Sequence, residues 1–227
     1  MGSFDRVYRG IFRKLYEGEL LPGQRLVAPA LAQEFNASRN TVREVLTRLS
    51  AVGVIAPVRN QSPTVRALSR SEMEELLDVV GVLLGLAARS AARRIGIGDN
   101  GKVLQSAYDG LVESEVDASL AAFVHARERY YRAVLAIGGN RELIRLFPTM
   151  HVHLMRMQLR SIPLVAQSAR FSDYAAINAA ILAGDPVGAA TAAERHVEGM
   201  TEAVKGLPDS LFAREAPRAA PASIEPG

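Results

Sequence analysis

The chain has 227 residues, 48% hydrophobic and 22% charged, an ordinary globular composition with room for one large domain or two small ones. The absence of cysteine excludes disulfides and thiolate metal sites and fits a reducing cytoplasm. No apolar run reaches the roughly 18–20 residues of a membrane span, and no secretory signal opens the chain. The net charge of +3 is unevenly spread: residues 1–70 hold eleven Lys/Arg against five Asp/Glu, and the remainder sixteen against nineteen. A basic N-terminal third on a mildly acidic body is the footprint of one module that meets a polyanion.

A first amphipathic helix is expected from Phe4 to Glu17, with Val7, Ile11 and Leu15 at four-residue steps. Gly18 and Pro22-Gly23 break it. A short second helix carries Leu31, Ala32 and Phe35; Val27 and Ala28 stand where Ser, Thr or Asp would cap it. After the Asn36-Ala37 turn, Ser38 caps a third helix running to about Val52, where Gly53 suits its stop. Val42, Val45, Leu46 and Leu49 share one face of that helix. Arg39, Asn40, Arg43 and Thr47 share another, with Arg48 and Glu44 beside them. A helix in the major groove requires this split, one side buried at home and the other offering guanidinium forks and amides to bases and phosphates. Two short strands, 54–58 and 63–68, then flank Arg59-Asn60-Gln61-Ser62. Three helices followed by a polar-tipped hairpin is the order of a winged helix-turn-helix, with Arg59 and Asn60 placed for the DNA backbone or minor groove.

The run Leu20-Leu21-Pro22-Gly23-Gln24-Arg25-Leu26, then Leu31-Ala32, then Ser38-Arg39-Asn40-Thr41-Val42-Arg43-Glu44-Val45-Leu46 and Arg48-Leu49, resembles the GntR family of bacterial transcriptional regulators. The resemblance implies Arg39, Arg43 and Arg48 as principal DNA contacts, within a candidate set of Ser38, Arg39, Asn40, Thr41, Arg43, Thr47, Arg48, Arg59 and Asn60. Two positions depart from the family: Ser62 replaces the usual wing-tip glycine, and Ala28 the usual acidic residue of the second helix.

Leu68 to Ser71 reads as a linker, with Ser71 as the N-cap of the next helix and Glu74 completing a capping box. The body is expected to be helical over 72–95, 99–113, 117–138, 140–161, 168–183 and 186–205, with breaks at Gly96-Ile97-Gly98, Gly138-Gly139-Asn140, Pro163 and Gly184-Asp185-Pro186. The fold class is therefore mainly α: a DNA-binding domain over 1–68, a helical effector-binding and dimerisation domain over 69–207, and a disordered tail over 208–227 rich in proline and alanine.

The body resembles the ligand-binding FCD domain of the FadR branch of the same family, most clearly at 84–92, at 130–140 with Leu143, and at 177–185 followed by His196. The resemblance implies a bundle of six or seven helices around a cavity. In many members that cavity holds a divalent metal through one aspartate and three histidines, beside an organic acid. Here Arg127, Tyr131 and Tyr174 stand at three of those positions, and His196 alone keeps an imidazole. Such a set does not suit a divalent ion, so no metal or other cofactor is expected; His151 and His153, on opposite sides of their helix, do not replace the lost ligands. Arg127 and Tyr131 lie one helical turn apart. With Tyr174, Asn178 and His196 they form a candidate site for a small carboxylate, the arginine taking over the charge role of the metal. Gly81 and Gly85, one turn apart where the family offers an arginine and a glutamate, imply either an enlarged pocket or close helix packing.

No nucleophile elbow, His-Glu-x-x-His, phosphate loop or cysteine nucleophile is present, which excludes the commonest enzyme constellations. The implied protein is a cytoplasmic homodimeric regulator, a repressor that binds a near-palindromic operator in double-stranded DNA and is modulated by a small organic acid. The alternative is a constitutive DNA-binding regulator with a solid bundle.

Overall fold

A computed structural model describes residues 2–58, 61–116, 120–147, 149–159 and 168–215; side chains at 115–116, 120–121, 124, 149–151, 153 and 168–171 lie outside the description. The described elements are α1 (Ser3–Tyr16), α2 (Ala28–Glu34), α3 (Arg39–Ala51), β1 (Ile55–Ala56), β2 (Thr64–Val65), α4 (Arg70–Ala92), α5 (Asn100–Val116), α6 (Leu120–Gly138), α7 (Arg141–Leu146), α8 (Thr149–Gln158), α9 (Ser168–Leu182) and α10 (Pro186–Lys205).

The first three helices close on Val7, Ile11, Leu15, Leu31, Val42, Val45 and Leu49. Gly10 lets the Phe35 ring lie against α1, since a Cβ there would come within 2.2 Å of it. No side chain caps α2, and Pro29 in its first turn compensates by removing one amide that would need a partner. The wing pairs antiparallel, Ile55 with Val65 and Ala56 with Thr64, a shorter hairpin than the sequence pattern implied. The Pro22-Gly23 turn explains how so short a hairpin holds. Gly23 has φ +83° and donates to the Val65 carbonyl, Val65 donates to the Gln24 carbonyl, and Arg25 bridges Thr64. The turn thus adds a third edge to the wing.

In the bundle α4 packs chiefly on α10 and α6, and α5 pairs with α6. Three expectations are corrected here. The N-cap of α4 is Ser69, not Ser71: Ser69 Oγ accepts from the Glu72 amide while Glu72 Oε2 accepts from the Ser69 amide. Arg66 selects that register by pairing with Glu72 at 2.6 Å. The single helix expected over 140–161 is two. Phe147 is extended (φ −63°, ψ 116°), the conformation forced on a residue that precedes proline. The tail expected to be disordered is packed as far as Glu215. Arg70 stacks on Phe212 at 4.3 Å and pairs with Asp209, and Glu215 accepts from Ser69 and Ser71. Residues 216–227 lie outside the described set.

Leu154 of α8 is buried in the winged-helix core, while Val152, Met155 and Leu159 of the same helix belong to the bundle core. Gln158 receives a hydrogen bond from the Leu68 amide and donates to the Leu68 carbonyl, both at 2.8 Å, and also to the Leu211 carbonyl. The helix α8 therefore holds the DNA-binding module, the linker and the tail together.

Candidate nucleic-acid interface and buried polar cluster

The third helix divides as its sequence requires. Val42, Val45, Leu46 and Leu49 are buried, while Arg39, Asn40, Arg43, Thr47 and Arg48 are exposed and Thr41 is half-buried. Ser38 caps the helix by accepting from the Thr41 amide at 3.0 Å, and its hydroxyl lies 2.9 Å from that of Thr41. Thr47 donates its hydroxyl to the Arg43 carbonyl and keeps its oxygen lone pairs outward. Between this helix and the wing runs an open cleft of about 730 Å³, with Arg43, Thr47 and Ser50 on one wall and Gln61 and Ser62 on the other. Arg59 and Asn60 lie outside the described residues.

A second set of polar side chains is enclosed by the bundle. Tyr131 Oη lies 3.1 Å from Tyr174 Oη and 3.3 Å from His196 Nε2, and the Tyr174 ring sits 4.8 Å from the imidazole. Arg127 is 4% exposed, with its Cζ 5.3 Å from the centre of the Tyr131 ring. Its Nε has no hydrogen-bond partner, nor has the Asn178 carbonyl oxygen. Asn178 itself donates weakly to Gln105, at 3.5 Å. Burial, reinforced by Tyr174, pushes the Tyr131 phenol well above its ordinary pKa, and Arg127 and Arg156 pull against that rise. Both phenols of this pair therefore act as neutral hydrogen-bonding groups.

Models of two sequence families match the chain: the FCD domain over residues 75–199, more than half its length, and the bacterial regulatory proteins of the gntR family over residues 4–77. The chain belongs to the GntR family. It is a DNA-binding transcriptional regulator with an FCD domain, the architecture of the FadR branch, and that family and the solved structures similar to it consist of regulators, not enzymes. The fold is similar to that of McbR/YncC from E. coli, at TM-score 0.75 and 18% identity over 90% of this chain and 98% of that one. It is similar as well to a GntR-type regulator from Rhodococcus sp. RHA1, at TM-score 0.77 and 18% identity over 89% and 97%. Lar of Listeria monocytogenes is a more distant match, at TM-score 0.58 and 17% identity over 92% and 99%. No curated protein sequence matches.

The FCD bundle of this GntR protein does not fit the metal that its family resemblance implies. Of the His196 nitrogens, Nε2 faces Tyr131 and Nδ1 lies 3.2 Å from Asp173, while the cation of Arg127 occupies the neighbouring space. Among the described residues no group of three or more His, Cys, Asp or Glu converges. The side chains of His151 and His153 lie outside the description.

Sequence reasoning missed two members of the cluster. Asp173 precedes Tyr174 and orients the imidazole from its far side. Arg156 of α8 is 7% exposed, lies over the Phe123 ring at 5.9 Å, and acts electrostatically on Tyr131. An arginine on a core-facing stretch of helix was a signal available in the sequence. Gly81 and Gly85 prove to be packing positions: a Cβ at Gly81 would sit 3.6 Å from Val197, and one at Gly85 would come within 2.6 Å of Glu194. The enlarged-pocket reading of these glycines therefore lapses.

Proposed function

We propose that the chain is a cytoplasmic homodimeric repressor whose hold on a near-palindromic operator is released by a small organic acid enclosed in the FCD bundle. The DNA-contact set is Ser38, Arg39, Asn40, Thr41, Arg43, Thr47, Arg48, Arg59 and Asn60. The effector set is Arg127, Tyr131, Tyr174, Asn178 and His196, and we add Arg156.

One observation carries the effector reading: a guanidinium that is 4% exposed, with an unpartnered Nε, beside phenols and an imidazole. Burying such a cation without a counter-charge costs several kcal/mol, on the order of the penalty for any desolvated ion, and a bound carboxylate removes that cost. Phenol hydroxyls and the Asn178 amide supply the remaining hydrogen bonds. A ligand alters DNA affinity only through unequal affinity for two arrangements of the dimer. The helix α8 offers the route, because Arg156 reaches the cluster while Leu154 is seated in the winged-helix core. At the end of α1, Tyr16 also feels Glu128, Arg127 and Arg132 of α6, so a second contact joins the same two parts.

The rival reading, a constitutive regulator, draws on the hydrogen bonds that Tyr131, Tyr174 and His196 already make among themselves. Thermal-shift measurement against a panel of aliphatic and aromatic carboxylates separates the two. Under the effector reading at least one acid raises the melting temperature of the wild type and leaves Arg127→Met unmoved. A flat response of the wild type to the whole panel overturns it in favour of the constitutive regulator.

A further inference from the structure

The helix α4 has a second apolar face that the bundle does not use. Its inner side, Met73, Leu77, Val80, Leu84, Ala87, Ala88 and Ala91, is buried. On its outer side Glu75, Val79, Val82, Leu86, Arg89 and Arg93 are all exposed. These six follow one another at steps of four, three, four, three and four residues. A period of about 3.5 residues is the seam of two helices packed along each other, not a scatter of surface positions. At its middle Val82 is 69% exposed, flanked by Val79 at 53% and Leu86 at 38%.

The charges on this seam are self-complementary. Glu75 and Arg89 lie seven residues to either side of Val82, about 10.5 Å along the axis in each direction. Two copies of α4 laid antiparallel about Val82 place Glu75 of one against Arg89 of the partner subunit, twice, with the valines and leucines between them. A parallel arrangement stacks like charge on like. Beside Val82 a hollow of about 360 Å³ is lined by Leu77, Gly81, Val197 and Thr201. The missing side chain at Gly81 leaves it open: a Cβ there meets only ordinary van der Waals contact, so nothing within the subunit demands glycine. Such a recess accepts a side chain from outside, as a hole accepts a knob.

We infer that the outer face of α4 is the site at which a second copy of this chain packs, α4 against α4, antiparallel, with Val82 at the two-fold axis. The inference rests on the homodimer reading above and assigns it a surface.

The absence of cysteine makes the test direct. Val82→Cys is expected to oxidise to a covalent dimer, because residues on a two-fold axis fall within disulfide reach. Val103→Cys, exposed on α5, is expected to stay unlinked under the same treatment. Val82→Glu is expected to raise the dimer dissociation constant roughly 100-fold or more in sedimentation, with helical content unchanged, since two carboxylates are then forced together out of water. Glu75→Arg weakens the dimer, and adding Arg89→Glu restores it. If Val82→Glu leaves the dimer intact and Val82→Cys fails to cross-link, this face is not the interface, while the dimer reading stands. A wild type that sediments as a monomer at every concentration fells both.

Discussion

The winged-helix domain and the helical bundle both carry arginines at their candidate sites, in opposite surroundings. Arg39, Arg43 and Arg48 stand in solvent on a helix whose other side is buried. Arg127 and Arg156 are enclosed among aromatic rings. A solvated guanidinium costs folding nothing and waits for a polyanion, so it governs binding and leaves stability alone. An enclosed one has lost its water and burdens the empty fold, so ligand binding and stability become linked there. The two sites meet only through α8 and the end of α1.

The largest effect is expected where the regions join. Leu154→Ala removes a leucine that fills the winged-helix core from the bundle's helix, at a cost of about 2–5 kcal/mol in denaturant unfolding. It should also leave any bound acid without influence on DNA affinity; preserved ligand control in this variant would show that α8 is not the route. Next comes the solvated set. Arg43→Ala should lose about 1–3 kcal/mol of operator binding if it reads a base, or lower the salt slope by about one unit if it holds a phosphate. Its melting temperature should match the wild type, whereas Arg127→Met, with the enclosed charge gone, should melt no lower than the wild type in the absence of ligand. A large loss of stability in Arg43→Ala would erase the contrast.

Smaller effects test the linker. Ser69→Ala removes the cap of α4 and should cost about 1 kcal/mol, readable by thermal unfolding. Burial pushes the Glu72 carboxyl up, but the Ser69 amide and Arg66 outweigh it and hold its pKa below the usual 4.5. The folded state therefore keeps the charge more firmly than the unfolded chain. The resulting stabilisation is complete above pH 4.5 and drains away as pH falls toward the lower folded value. Glu72→Gln should melt below the wild type at neutral pH, with the gap closing in acid; a gap that widens in acid would reverse the sign of this account.

The recognition helix was legible without the fold, because its cap, its aliphatic face and its cationic face follow from spacing along one element. The split at Phe147 was legible too, given Pro148, although periodicity alone runs straight through it. The register of the α4 cap was less so: Ser69 and Ser71 both precede a glutamate by three residues, and Arg66 on the wing side decides between them.

The sequence by itself determined which helix faces DNA, the helical character of the body, and the loss of three metal-ligand positions, since each depends on residue type at a local period. Only tertiary structure decided that Arg156 and Asp173 join Tyr131 and His196, that Gly85 makes room for Glu194, and that Leu154 belongs to the other domain's core. Those contacts join side chains on different elements, and no period along the chain records which helices will lie side by side.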